Sequence, residues 1–87
     1  MEIKYSEKSI KQITKIHKGD KKIAEKTLKT IEAYAKNPSG NFDIKVLKGK
    51  YGNFKRLRVG DFRVIFQEDK TDMLIYEIKH RKEAYND

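Results

Sequence analysis

Residues 47–85 read LKGKYGNFKRLRVGDFRVIFQEDKTDMLIYEIKHRKEAY, and the hairpin in the middle of this stretch decides the fold. From Phe54 the pattern has period two. Residues 54–59 and 62–67 are predicted strands, joined by Gly60-Asp61. Glycine at the first central position suits a type II′ turn, whose twist matches that of paired strands. A two-residue turn sets the register. Val59 then faces Phe62, Arg58 faces Arg63, Leu57 faces Val64, Arg56 faces Ile65 and Lys55 faces Phe66.

Alternate residues point to opposite faces of a strand. Leu57, Val59, Phe62, Val64 and Phe66 therefore share one face, which needs an apolar cover. Phe54, Arg56, Arg58, Arg63, Ile65 and Gln67 share the other. Residues 73–79 form a further predicted strand after a polar loop at 68–72. Leu74, Tyr76 and Ile78 are its better buried set, because the set Met73, Ile75 and Glu77 would bury a carboxylate. On that choice Ile75, Glu77 and Lys79 join the arginine face, and Glu77 comes near Arg63. Two arginines directly opposite each other repel. Either Glu77 offsets this in a solvated ion-pair ladder, or a bound polyanion relieves it.

Upstream, residues 2–5 are a short predicted strand. Ser6 is placed to cap a helix, with Ile10, Ile13 and Ile16 as its apolar stripe and Gly19 at its end. Asp20 can cap a second helix. Its longer stripe is Ile23, Ala24, Thr27, Leu28, Ile31, Tyr34 and Ala35, and Asn37-Pro38 ends it. Residues 42–51 are compatible with a short helix, a strand or an irregular lead-in. The expected architecture is α+β: a short N-terminal strand, then a helical hairpin packed on one face of a mostly antiparallel sheet of about four strands.

At 87 residues the chain is expected to be one domain, 1–87. Apolar residues make up 37% and charged residues 39%, so a thin core carries a heavily charged shell. Twenty-one Lys and Arg stand against thirteen Asp and Glu, for a net charge of +8. That balance favours anionic partners. There is no cysteine, which removes disulfide and thiol chemistry. His17 and His80 lack partners at metal-ligand spacing, so no metal or cofactor is expected. No apolar run has the length of a signal or a membrane span, and a cytoplasmic location is expected.

LKG at 47–49, FKRLRVGDFRVIF at 54–66 and HRKEAY at 80–85, after a strand–helix–helix order, resemble the RelE/ParE superfamily of toxins from type II toxin–antitoxin modules. The resemblance covers nearly the whole chain and is closest to the RelE-like branch. It implies a ribosome-dependent endoribonuclease that cuts mRNA in the A site without a metal. The ribose 2′-hydroxyl attacks the adjacent phosphate, leaving a 2′,3′-cyclic phosphate and a 5′-hydroxyl. By the same resemblance Arg63 and Arg81 stabilise phosphate charge and Tyr85 orients or deprotonates the 2′-hydroxyl. Arg56 falls near a strand lysine of the family and is grouped with them as catalytic. Lys48, Lys50, Lys55, Arg58 and Lys82 would hold the RNA backbone, with His80 as an auxiliary.

Clustered cations suit a dianionic phosphorane-like transition state. Lys55, however, points to the helix side on the register above, so no general base is assigned. The implied partners are an acidic RelB-like antitoxin, the ribosome and mRNA, with operator DNA bound only through the antitoxin. A ParE-like inhibitor of DNA gyrase without nuclease activity is the alternative. A degenerate member acting only as an operator co-binder is a third possibility.

Overall fold

The computed structural model describes residues 1–48 and 52–83. The element order is β1 (Glu2–Tyr5), α1 (Glu7–Gly19), α2 (Lys21–Lys36), β2 (Ile44–Val46), β3 (Lys55–Val59), β4 (Phe62–Glu68) and β5 (Asp72–His80). The strands form one five-stranded sheet in the order β1-β5-β4-β3-β2. β1 runs parallel to β5, and the other pairs are antiparallel. The expected α+β architecture is present, with one strand more than expected. That strand is β2, whose three residues are too few to show a period.

Both helices start on the expected caps. Ser6 Oγ accepts from the Ser9 N–H at 3.0 Å, and Asp20 Oδ1 accepts from the Ile23 N–H at 3.2 Å. The α2 stripe packs as its spacing predicts, with Ala24, Thr27, Ile31, Tyr34 and Ala35 buried. The α1 stripe is corrected at its first position: Ile10 is 51% exposed. Ser9 is buried in its place, while Ile13 and Ile16 pack partly buried against the core. That rotation follows from how α1 lies against β5. The Gln12 side-chain oxygen accepts the Ile78 N–H at 2.6 Å, and the Ser6 hydroxyl donates to the Tyr76 carbonyl at 2.5 Å. β1 pairs β5 only over Asp72–Ile75. Beyond that point α1 supplies polar partners to a strand edge that would otherwise lack them.

The hairpin register is the expected one, from Lys55–Phe66 through Arg58–Arg63 to Val59–Phe62. Gly60 has φ +58° and no non-glycine residue among the described ones has positive φ, so Asp61 has negative φ, the type II′ pattern. The core lies between α2 and this sheet face, where Leu57, Val64, Phe66 and Ile31 are fully buried. Each such side chain contributes about 1.5–3 kcal/mol of burial.

β5 departs from simple alternation. Ile65 pairs with Glu77 but Phe66 pairs with Ile75, so Tyr76 is an extra residue in a β-bulge. The bulge corrects the expected burial of this strand. Met73 and Ile75 are fully buried in the core, whereas Leu74 and Tyr76 are 38% and 39% exposed. Past the bulge the phase switches, and Ile78 turns inward as expected. Ile75 therefore leaves the arginine face, while Glu77 and Lys79 stay on it. Glu77 lies on the open face, as the cost of placing a carboxylate in the apolar core dictates, whereas Ile75 lies on the opposite face because the strand changes phase at the bulge.

Candidate functional site

The face away from the helices carries a row of three cations. Arg58 on β3 is directly opposite Arg63 on β4, and Arg63 is directly opposite Lys79 on β5. Arg81 lies two residues beyond Lys79, beside the hairpin turn. Its backbone N–H donates to the Asp61 carbonyl at 2.6 Å, and its Nε lies 3.6 Å from the Asp61 carboxylate. Arg58 and Arg81 are exposed, while Arg63 and Lys79 are half-buried. Like charges directly opposite on adjacent strands destabilise a sheet, so this row carries a local cost.

The next row inward is different in kind. Lys45, Arg56, Ile65 and Glu77 are cross-strand neighbours in turn. Arg56 is only 7% exposed, and its guanidinium pairs with Asp43 at 3.2 Å. Asp43 also accepts the Arg58 N–H through its carbonyl, which fixes the start of β2 against β3. Glu77 is 3% exposed and pairs with Lys79 at 3.1 Å and Lys8 at 3.6 Å. Glu77 thus stands opposite Ile65 and holds the lysine that opposes Arg63, instead of opposing Arg63 itself. Lys79, Lys8 and Asp43 were absent from the residues singled out by sequence. Lys79 was legible as a member of the face, but its place opposite Arg63 depends on the bulge.

The remaining expected site residues are scattered. Lys55 points to the helix side, where Nζ donates to Glu68 at 2.9 Å. Tyr34 Oη donates to the same carboxylate at 2.6 and 2.8 Å. Burial first, and then the hydrogen bond and charge of Glu68, push the Tyr34 hydroxyl well above its ordinary range. Lys55 is accordingly a member of a polar cluster on the far side of the sheet from the cation row. His80 faces Phe62, with ring centroids 5.2 Å apart, and its Nδ1 accepts the Lys82 N–H at 3.2 Å. Since Phe62 packs against the core, His80 is also on the helix side. Lys82 is exposed beyond the end of β5. Lys48 is exposed just after β2, at the opposite end of the sheet from Gly60-Asp61. Lys50 and Tyr85 lie outside the described residues.

Near the Lys48 end the face changes from charged to aromatic. Phe54, just before β3, and Tyr76, on β5, meet across β4 with ring centroids 5.2 Å apart. The Lys8 ammonium lies 5.6 Å from the Tyr76 ring centroid. Among the described residues no group of three or more His, Asp or Glu side chains is placed to hold a metal ion, and no helix is long and apolar enough to cross a membrane.

The same fold, a helical hairpin on a sheet, is found in solved toxins of toxin–antitoxin complexes. A chain of the archaeal RelE–RelB complex from Pyrococcus horikoshii superposes with a TM-score of 0.74 at 24% identity, covering 95% of this chain and 97% of that one. The YoeB–YefM complex from Staphylococcus aureus gives 0.76 at 18%, covering 92% and 95%. YafQ from Escherichia coli gives 0.72 at 13%, covering 98% of each. Comparison with curated protein sequences gives no match. The sequence profile described as the ParE toxin of the type II toxin–antitoxin system, parDE, matches residues 3–85, and the chain belongs to this toxin family.

Proposed function

We propose that this toxin is a ribosome-dependent endoribonuclease that cuts mRNA by attack of a ribose 2′-hydroxyl on the adjacent phosphate. The observation that carries this reading is the row Arg58–Arg63–Lys79, with Arg81 beside the turn. Fixed cations on adjacent strands suit a phosphate that gains negative charge as the 2′-oxygen bonds to phosphorus. The 5′-oxygen leaves and takes up a proton, and the cyclic phosphate remains on the upstream fragment. Arg63 is central in the row and is assigned the phosphate. Arg58 and Arg81 flank it, and Tyr85 keeps the role with the 2′-hydroxyl that the family resemblance implies. Arg56, buried against Asp43, supports the row from the neighbouring position on the same face. Lys48 and Lys82 guide the strand at the two ends of the face.

An acidic antitoxin that covers this face is the cognate partner on this reading. Its support is the presence of YefM and RelB in complexes of similar fold. The family match to ParE favours a second reading, a DNA gyrase inhibitor that cleaves nothing. Primer extension on ribosome-bound message separates the two. Cuts within the A-site codon in cells expressing this chain support the nuclease. Intact message together with inhibited gyrase supercoiling overturns it.

A further inference from the structure

We propose that Tyr76, with Phe54 beside it, is a stacking site for one nucleobase of single-stranded RNA; this rests on the RNA-binding part of the reading above. The bulge is the first observation. It inserts Tyr76 between two residues that keep their cross-strand partners, and turns its ring away from the core. Bulges re-aim side chains next to working surfaces. Left to simple alternation from Ile78, position 76 would pack inward against the helices, as Ile78 does. Instead an aromatic ring stands 39% exposed on a charged face.

The second observation is what surrounds the ring. Phe54 meets it at 5.2 Å with the planes tilted by 51°, so the two rings bridge over β4 as one aromatic surface. The Lys8 ammonium lies 5.6 Å from the Tyr76 centroid. Lys8 is 55% exposed on a flexible stem. A base sliding onto the ring displaces the ammonium by a short swing, which leaves it beside that nucleotide's phosphate. An apolar peptide side chain would gain nothing from these cations, whereas a nucleotide presents a flat ring and an anion together.

The third observation is position. Tyr76 precedes Lys79 by three residues, roughly 10 Å along the strand. A strand of RNA whose phosphate lies in the cation row can therefore lay a neighbouring base on Tyr76. Aromatic rings on a sheet face are a common means of taking bases from single-stranded RNA.

The test uses the full chain and a short single-stranded RNA with 2′-O-methyl sugars, which cannot be cut, carrying one 2-aminopurine. Wild type and Tyr76→Phe are expected to bind and quench the 2-aminopurine. Tyr76→Leu, with unchanged circular dichroism, is expected to bind about tenfold more weakly or worse and to lose the quench. Lys8→Gln should flatten the salt dependence and keep the quench. The proposal is overturned if wild type does not bind or quench, or if Tyr76→Leu matches wild type in affinity and quench. It is also overturned if Tyr76→Leu loses only antitoxin binding, since the patch is then a protein contact. A quench without A-site cutting keeps the stacking site and removes the nuclease; cutting with no effect of Tyr76→Leu does the reverse.

Discussion

Arg63 and Lys79 are cross-strand partners on the face away from the helices, and the buried carboxylate of Glu77 holds the lysine in that place at 3.1 Å. A sheet built only for stability would place an acid opposite Arg63. Here the acid is offset to a neighbouring position and turned to hold a second cation beside the first.

Arg63→Ala is expected to lower mRNA cleavage by roughly 100-fold or more, as for loss of one preorganised charge partner of a transition state. Circular dichroism and antitoxin-free solubility should be unchanged. Full toxicity in that variant would mean that the row is not the phosphate site.

Arg58→Ala should raise stability while lowering activity. Arg58 is exposed and opposite Arg63, and its described side-chain hydrogen bond is a long one, 3.5 Å to the Gly60 carbonyl. Relief of the cross-strand repulsion is expected to add about 0.2–1 kcal/mol in urea unfolding. A loss of stability would show that the repulsion is already compensated.

Glu77→Gln removes the charge that Lys79 and Lys8 share. The variant should be less stable by about 1–3 kcal/mol, because a buried group loses charged partners. Cleavage should fall as well, since Lys79 is no longer held opposite Arg63. Thermal melts and primer extension on the same preparation report the two effects separately.

Tyr34 gives a pH signature. Its folded pKa is raised above the ordinary 10.0, chiefly by burial and then by Glu68. The folded state thus favours the neutral phenol. The stability that this preference adds is complete below the unfolded value of 10.0 and is lost as the pH rises above it. The stability difference between wild type and Tyr34→Phe, measured by urea unfolding, should be flat up to about pH 9 and shrink beyond 10. A difference that stays constant to pH 11 would contradict the assigned cause.

Much of this architecture could be read from the chain because local chemistry fixed it. Gly60-Asp61 set the β3–β4 register without any distant contact, and the α2 stripe was long enough to show its period. What could not be read depended on distant parts of the chain. The bulge at Tyr76 answers to how α1 and β1 share the edge of β5, and no local rule announces it. β2 was too short for a pattern, so Asp43, the acid that pairs with Arg56, went unseen. Glu77 was placed on the correct face for the correct reason, that a carboxylate is costly in an apolar core. The neighbouring Ile75 was then misplaced by extending that reason across the phase change.

That phase change gives β5 two independent vocabularies. Upstream of Tyr76 the strand answers to the helices, through Met73 and Ile75. Downstream it answers to whatever meets the cationic face, through Glu77 and Lys79. Core packing and the charged face are thus served by different residues of one nine-residue strand. Deleting Tyr76 would fuse the two grammars into one plain alternation, with Met73, Ile75 and Ile78 still inward and Glu77 and Lys79 still on the charged face, and only the aromatic ring lost.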